Sequence, residues 1–167
     1  MPIIGASDGS FAGTSGITRL GNADTTGITL SGNMYTFGGG ATTLTSAGDI
    51  TMSVTGNGTN GIIRTDNDIT INAGGTNNAG GAFKVTGNAQ ILTSTSDDTI
   101  DIQSNITGVD DTTSTESLTL DTHTGVNSGG TVKIAGNVAG ANAAGAFKTV
   151  TLKGATNVYL GGTITTA

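Results

Sequence analysis

Cysteine and tryptophan are absent, and the only proline is Pro2. Without cysteine there is no disulfide framework, no zinc–thiolate site and no thiol redox chemistry. A small cysteine-free extracellular domain needs another source of stability, and a repetitive ladder of strands is one. Charge is also scarce. Charged residues make up 11% of the chain, and only six are Lys or Arg against twelve Asp or Glu. With a net charge of −6 and no basic cluster, nucleic-acid binding has no electrostatic basis. No apolar stretch approaches the roughly 20 residues of a transmembrane helix. The opening Met1-Pro-Ile-Ile-Gly-Ala-Ser-Asp-Gly-Ser-Phe11 lacks the basic region and long apolar run of a signal peptide, so the expected export signal lies outside this chain.

What the 167 residues do contain is turn and strand chemistry: 29 Gly, 33 Thr and 14 Asn. Glycine permits positive φ, threonine favours strands, and asparagine tolerates left-handed turn positions. The 35 Leu, Ile, Val and Phe residues are few for a folded chain, but low charge and low proline argue against disorder. The apolar residues are also ordered in the sequence. Short apolar–polar–apolar segments recur at Ile17–Leu20, Gly27–Leu30, Asp49–Val54, Asp68–Ile71, Thr99–Ile102, Ser117–Leu120, Thr131–Ile134, Thr149–Leu152 and Asn157–Leu160. Each has the period of a strand with one buried face, and Gly, Asn or Ser-Asp punctuation follows nearly every one. Helical periodicity is missing. The best helical stretch, Ala139–Phe147, is interrupted by Gly140 and Gly145.

An internal echo adds to this. Asn78-Ala-Gly-Gly-Ala-Phe-Lys84 recurs as Asn142-Ala-Ala-Gly-Ala-Phe-Lys148. At a similar offset, Ile69–Ile71 faces Val132–Ile134, and Ile100–Ile102 faces Ile164–Thr166. Three coils of roughly 21 residues would fill one such unit. The expected fold is therefore all-β: a single parallel β-solenoid over residues 1–167 with seven or eight coils and internal units near 69–102 and 132–166. The alternative is an antiparallel β-sandwich, which usually has a more aromatic core than six Phe and Tyr residues can supply. No amphipathic capping segment is visible at either end. Uncapped strand edges invite pairing, so the expected partner is more solenoid, either a longer parent chain or a second subunit joined end to end.

The segments Glu116–Thr122, Gly130–Gly140 and Phe147–Ala167 resemble the repeat region of filamentous-haemagglutinin-like large exoproteins, the secreted adhesins of Gram-negative bacteria. Particularly similar is the close Ala155-Thr-Asn-Val-Tyr-Leu-Gly-Gly-Thr-Ile-Thr-Thr166, an apolar strand, Gly-Gly, then a second short strand. The likeness is clear over the last third and looser over Gly27–Gly108. It implies a right-handed parallel β-helix, export to the cell surface, and a role as stalk or adhesive fibre facing host or cell-surface glycans or proteins. The family's secretion domain is not recognisable in these residues, and its repeats share no active site to carry over.

Chemical motifs are sparse. The close acids are Asp66/Asp68, Asp97/Asp98 and Asp110/Asp111. Calcium takes six to eight oxygens around one point, and the G-G-x-G-x-D-x-U-x nonapeptide has no copy here. Turn capping by these Asp side chains is the simpler reading. His123, the one histidine, sits near Asp121 but has no nucleophile elbow. The Thr-x-Thr triplets at 43–45, 93–95, 149–151 and 163–165 do not recur once per coil, as an ice-ordering array would. Glycine runs at 38–40 and 74–75 lack the Lys-Ser/Thr and helix of a phosphate loop. No catalytic, cofactor-binding or metal-binding residues are assigned. The expected function is a non-enzymatic structural or adhesive rod, with a carbohydrate-binding or phage-fibre-type β-helix as the alternative.

Overall fold

A computed structural model describes residues 18–36, 40–53, 60–74, 80–94, 97–109, 116–122, 129–142 and 146–166. Among them are sixteen strands and no helix. They are β1 (Thr18–Leu20), β2 (Ile28–Leu30), β3 (Met34–Thr36), β4 (Thr42–Ser46), β5 (Ile50–Ser53), β6 (Asn60–Thr65), β7 (Ile69–Ala73) and β8 (Ala82–Thr86). Then follow β9 (Asn88–Thr93), β10 (Thr99–Ile102), β11 (Asn105–Gly108), β12 (Ser117–Asp121), β13 (Thr131–Ile134), β14 (Val138–Gly140), β15 (Thr149–Lys153) and β16 (Asn157–Leu160).

Every third strand joins the same sheet. Sheet A runs β1-β4-β7-β10-β13-β16, sheet B β2-β5-β8-β11-β14, and sheet C β3-β6-β9-β12-β15. All pairings between these strands are parallel. One strand in each of three sheets makes a coil, so the described strands make five full coils and the start of a sixth. The β-solenoid expectation holds, and the parallel ladders exclude the sandwich. The expected coil number does not hold. Thr18 stands beside Thr42, Thr42 beside Ile69, Ile69 beside Ile100, Ile100 beside Val132, and Val132 beside Val158. A coil therefore takes 24 to 32 residues rather than about 21, and the described residues hold fewer than seven.

The sequence echo misled because it is not a structural repeat. Phe83 lies in β8, in the column Ile28-Ile50-Phe83-Ile106-Val138. Phe147 lies instead between β14 and β15, bridged to Thr166. Two coils on from Phe83 stands Val138. The match of Ile69–Ile71 with Val132–Ile134 is real and spans two coils, whereas Ile100 meets Val158 and not Ile164.

The core is a set of columns along the rod axis. In sheet A the inward column reads Leu20-Leu44-Ile71-Ile102-Ile134-Leu160, and in sheet C Met34-Ile63-Ile91-Leu120-Leu152. Ile71, Ile102 and Leu120 are fully enclosed. Strand alternation decides this, since residues two apart share a face. Threonine enters the interior too. Thr36, Thr42 and Thr65 are buried at the corner between sheets C and A, where the Thr36 and Thr42 hydroxyls lie 2.7 Å apart and the Thr42 hydroxyl donates to Thr65 at 3.5 Å. Mutual bonding lowers the cost of enclosing these oxygens.

At the A–B corner, Gly74 has φ +94°, and its N–H donates to the carbonyls of Ser46 (2.9 Å) and Gly48 (3.1 Å) in the coil below. Gly81 packs against the same point: a Cβ there would run into the backbones of Gly74 and Gly48. Removing core volume should be costly as well. Ile102→Ala deletes most of an enclosed side chain from the middle of a column and should lower unfolding free energy by about 2–5 kcal/mol, read by denaturant titration. A loss below about 1 kcal/mol would contradict the packing described.

Candidate functional site

The most regular polar feature is a set of Asn and Asp clamps at the corners. In each, the side-chain oxygen of the residue just before a strand's first inward residue accepts the backbone N–H of the equivalent residue one coil on. In sheet B, Asp49 Oδ1 accepts from Ala82 at 3.0 Å, Asn105 Oδ1 from Asn137 at 2.9 Å, and Asn137 Oδ1 from Thr163 at 2.9 Å. Entering sheet A, Asp68 Oδ1 accepts from Thr99 at 2.6 Å; entering sheet C, Asn33 Oδ1 accepts from Ile62 at 3.0 Å. At corners the ladder carbonyls turn away, and the Asx oxygen serves an N–H that would otherwise go unpaired. Gly162 lies where a Cβ would strike Asn137 Oδ1 and the Gly136 carbonyl, so the clamp depends on a bare backbone beside it.

These bonds change the account of the acids. Asp68 does cap, but across coils rather than within its own turn. Asp97 takes φ +72°, a turn conformation that Asp tolerates better than most residues. Asp98 is buried, and its carbonyl accepts the Thr131 N–H at 2.9 Å. Asp110, Asp111 and His123 lie outside the described residues. Among the described residues no three His, Cys, Asp or Glu side chains come together as metal ligands would. Asp121 is largely buried and sits 3.4 Å from the Lys153 ammonium in the next coil. The Thr triplets fall on different sheets: Thr43 faces outward on sheet A, Thr93 is buried in sheet C, and Thr149 and Thr151 lie in β15.

Asp49 has a second partner, with Oδ2 at 2.5 Å from Lys84 Nζ. Burial pulls the Asp49 carboxyl upward, but the Lys84 bond, the Ala82 N–H and the lysine charge outweigh it. They hold the group below 3.8. A depressed carboxyl stabilises the fold above its unfolded value and loses that contribution as pH falls through the folded value. Asp49→Asn keeps an oxygen for Ala82 but loses the charge pair. The wild type should therefore melt slightly above this variant near neutral pH, and the gap should close as pH drops below 3.8. A gap that persists in acid would mean the charge is not its origin.

The outer face of sheet A carries the column Arg19-Thr43-Thr70-Asp101-Lys133-Tyr159. Near its end, an open groove of about 490 Å³ is lined by Asp101, Lys133, Ala135, Tyr159, Leu160 and Gly161 among others. Gln103 donates to Asp101 at 2.8 Å, and Tyr159 is 58% exposed. The groove thus offers an aromatic face, an anion and a cation in a row, with donors and acceptors but no arrangement of nucleophile and base. Sequence reading missed it, because Asp101, Lys133 and Tyr159 are far apart in the chain and meet only through the coil register. The missed signal in the clamps was local: Asn or Asp directly before an apolar strand residue, as in Asn33-Met34, Asp49-Ile50, Asp68-Ile69, Asn105-Ile106 and Asn137-Val138. No family model, curated protein or solved structure matches the chain.

The clamps make a direct prediction. Asn137→Ala removes the oxygen that accepts both the N–H (2.9 Å) and the hydroxyl (3.2 Å) of Thr163, without opening the core, and should cost about 0.5–1.5 kcal/mol per bond in unfolding free energy. Amide exchange at Thr163 should quicken with it. Unchanged exchange at Thr163 would refute the clamp.

Proposed function

We propose that this chain is a segment of rod in an extracellular surface protein, with a structural or adhesive role and no catalysis of its own. The observation that carries the reading is the continuous parallel stack. Each of the sixteen described strands pairs along one axis, and coils rise about 4.8 Å each, so five of them extend roughly 25 Å. A stack of this kind transmits load and sets distance, and it lengthens by adding coils without a new core design. The resemblance of 116–122, 130–140 and 147–167 to exoprotein repeats supports placement at a cell surface. Nuclear Overhauser contacts in purified protein should link residues of neighbouring coils in the parallel pattern, with no short Hα–Hα contacts across strand pairs. Antiparallel cross-strand contacts would overturn the rod reading.

The groove at Asp101, Lys133 and Tyr159 favours a second reading, a glycan-binding β-helix. Sugars stack their apolar faces on exposed aromatic rings and hydrogen-bond to flanking charged groups, and Tyr159 is placed for such a contact. A glycan array separates the two readings. The rod reading expects no glycan signal that depends on Tyr159, whereas a signal abolished by Tyr159→Ala would establish the second.

A further inference from the structure

Asn105-Ile-Thr107 is the one Asn-x-Ser/Thr triplet among the described residues. This pattern is the acceptor for asparagine-linked sugar in exported proteins, and its Asn must lie at the surface. In a chain with 33 Thr the triplet alone is not selective; the way the fold holds it is. Asn105 opens β11 and is exposed, while Ile106 beside it is enclosed. Strand alternation sets Asn105 and Thr107 on the same outer face, about 7 Å apart. The clamp then fixes the amide. Oδ1 of Asn105 accepts the Asn137 N–H at 2.9 Å, so Oδ1 points along the ladder and Nδ2 points away from it. Nδ2 makes no hydrogen bond among the described residues. At the clamp residue Asn33, by contrast, Nδ2 donates to the Tyr35 hydroxyl at 3.2 Å. The surroundings of Asn105 are also small. Ala82 stands beside it in the coil below, and Ala139 stands beside Thr107 in the coil above. Gly136 is bare where a Cβ would strike Asn105 Oδ1.

We propose that Asn105 is a glycan attachment site, loaded from a sugar activated as a diphosphate. The proposal rests on the extracellular reading. In the transfer, Nδ2 attacks the anomeric carbon and a nitrogen–carbon bond forms. The carbon–oxygen bond to the diphosphate breaks, the diphosphate leaves with the electron pair, and Nδ2 gives up one proton to a base of the transferase. The amide oxygen takes no part, so a glycosylated Asn105 keeps its bond to Asn137. The sugar stands on the outer face of sheet B, clear of the core. Both edges of β11 are paired in the finished rod, to β8 and β14. Transfer therefore precedes the closing of β14 over β11.

Two co-expression arms test this on the full chain. In one, the chain is exported into a periplasm holding an oligosaccharyltransferase that reads Asn-x-Ser/Thr and a lipid-diphosphate glycan. In the other, it stays in the cytoplasm with a soluble transferase of the same specificity and a nucleotide-diphosphate hexose. Peptide mass spectrometry should find sugar at Asn105, and the arm that loads it identifies the donor. Thr107→Val should abolish the sugar at Asn105. Because this variant keeps the clamp, amide exchange at Asn137 should stay as slow as in the wild type. Asn57-Gly-Thr59, the other such triplet, lies outside the described residues, and its loading should not change in the variant.

A bare Asn105 in both arms, with a standard acceptor in the same cells loaded, overturns the proposal. So does sugar at Asn105 that survives Thr107→Val. Nuclear Overhauser contacts keep the two readings apart. Parallel coils with a bare Asn105 refute the attachment and spare the rod, whereas antiparallel contacts in a chain glycosylated at Asn105 refute the rod and spare the attachment.

Discussion

The constraint on which the structure depends is that a coil cannot satisfy itself. A single coil is three short strands and three corners, and nearly all its backbone hydrogen-bonding groups point along the rod axis. They are satisfied only by the coils above and below. The same holds for the side chains, since a ring of Leu, Ile and Val closes a core only when another ring covers it. Stability therefore comes from stacking, and the repeat must keep its register from coil to coil while its length varies from 24 to 32 residues. The extra residues are absorbed between strands and leave the columns unbroken.

Register in such a stack needs more than hydrophobicity, because a column of similar aliphatic side chains tolerates sliding. The polar elements remove that freedom. Each Asx clamp joins one oxygen to one N–H and so fixes a residue against its equivalent in the next coil. Charge acts in the same direction: the largely buried Asp121 lies against Lys153 in sheet C, and on the outer face of sheet A Asp101 stands one rung from Lys133. Exposed neighbours of opposite charge contribute little energy by themselves. Their effect is to disfavour displaced registers, in which acids and lysines would lose their partners and Asx oxygens would face no donor.

The strand class was legible in the sequence at nine segments of clean alternation, all of which coincide with strands in the described residues. Seven further strands were not. In β6 the inward positions are Gly61, Ile63 and Thr65; in β9 they are Ala89, Ile91 and Thr93; in β11 they are Ile106 and Gly108. A solenoid interior narrows at its corners, where small residues and threonine fill space that a sandwich would give to larger aliphatics. Such strands carry one strong apolar residue and fall below the contrast that alternation needs. Coil length was illegible for a related reason. The Phe83 and Phe147 segments share residues but not position, one lying within a strand and the other at a corner, so sequence similarity reported composition and not register.

The outer faces follow a different logic from the core. Inward columns are held to a narrow set of residues by packing, whereas outward columns are free to carry whatever the rod displays. On sheet A that column changes from Arg19, Thr43 and Thr70 at one end to Asp101, Lys133 and Tyr159 at the other. Neighbours in the column are one coil apart, so residues separated by some thirty positions in the chain stand as close as adjacent rungs. A solenoid can therefore build a surface site by changing single residues in successive coils, with no inserted loop and no change to its core. Because the scaffold constrains these positions so little, the chemistry of the rod is read from the outward columns, and its stability from the inward columns and the clamps.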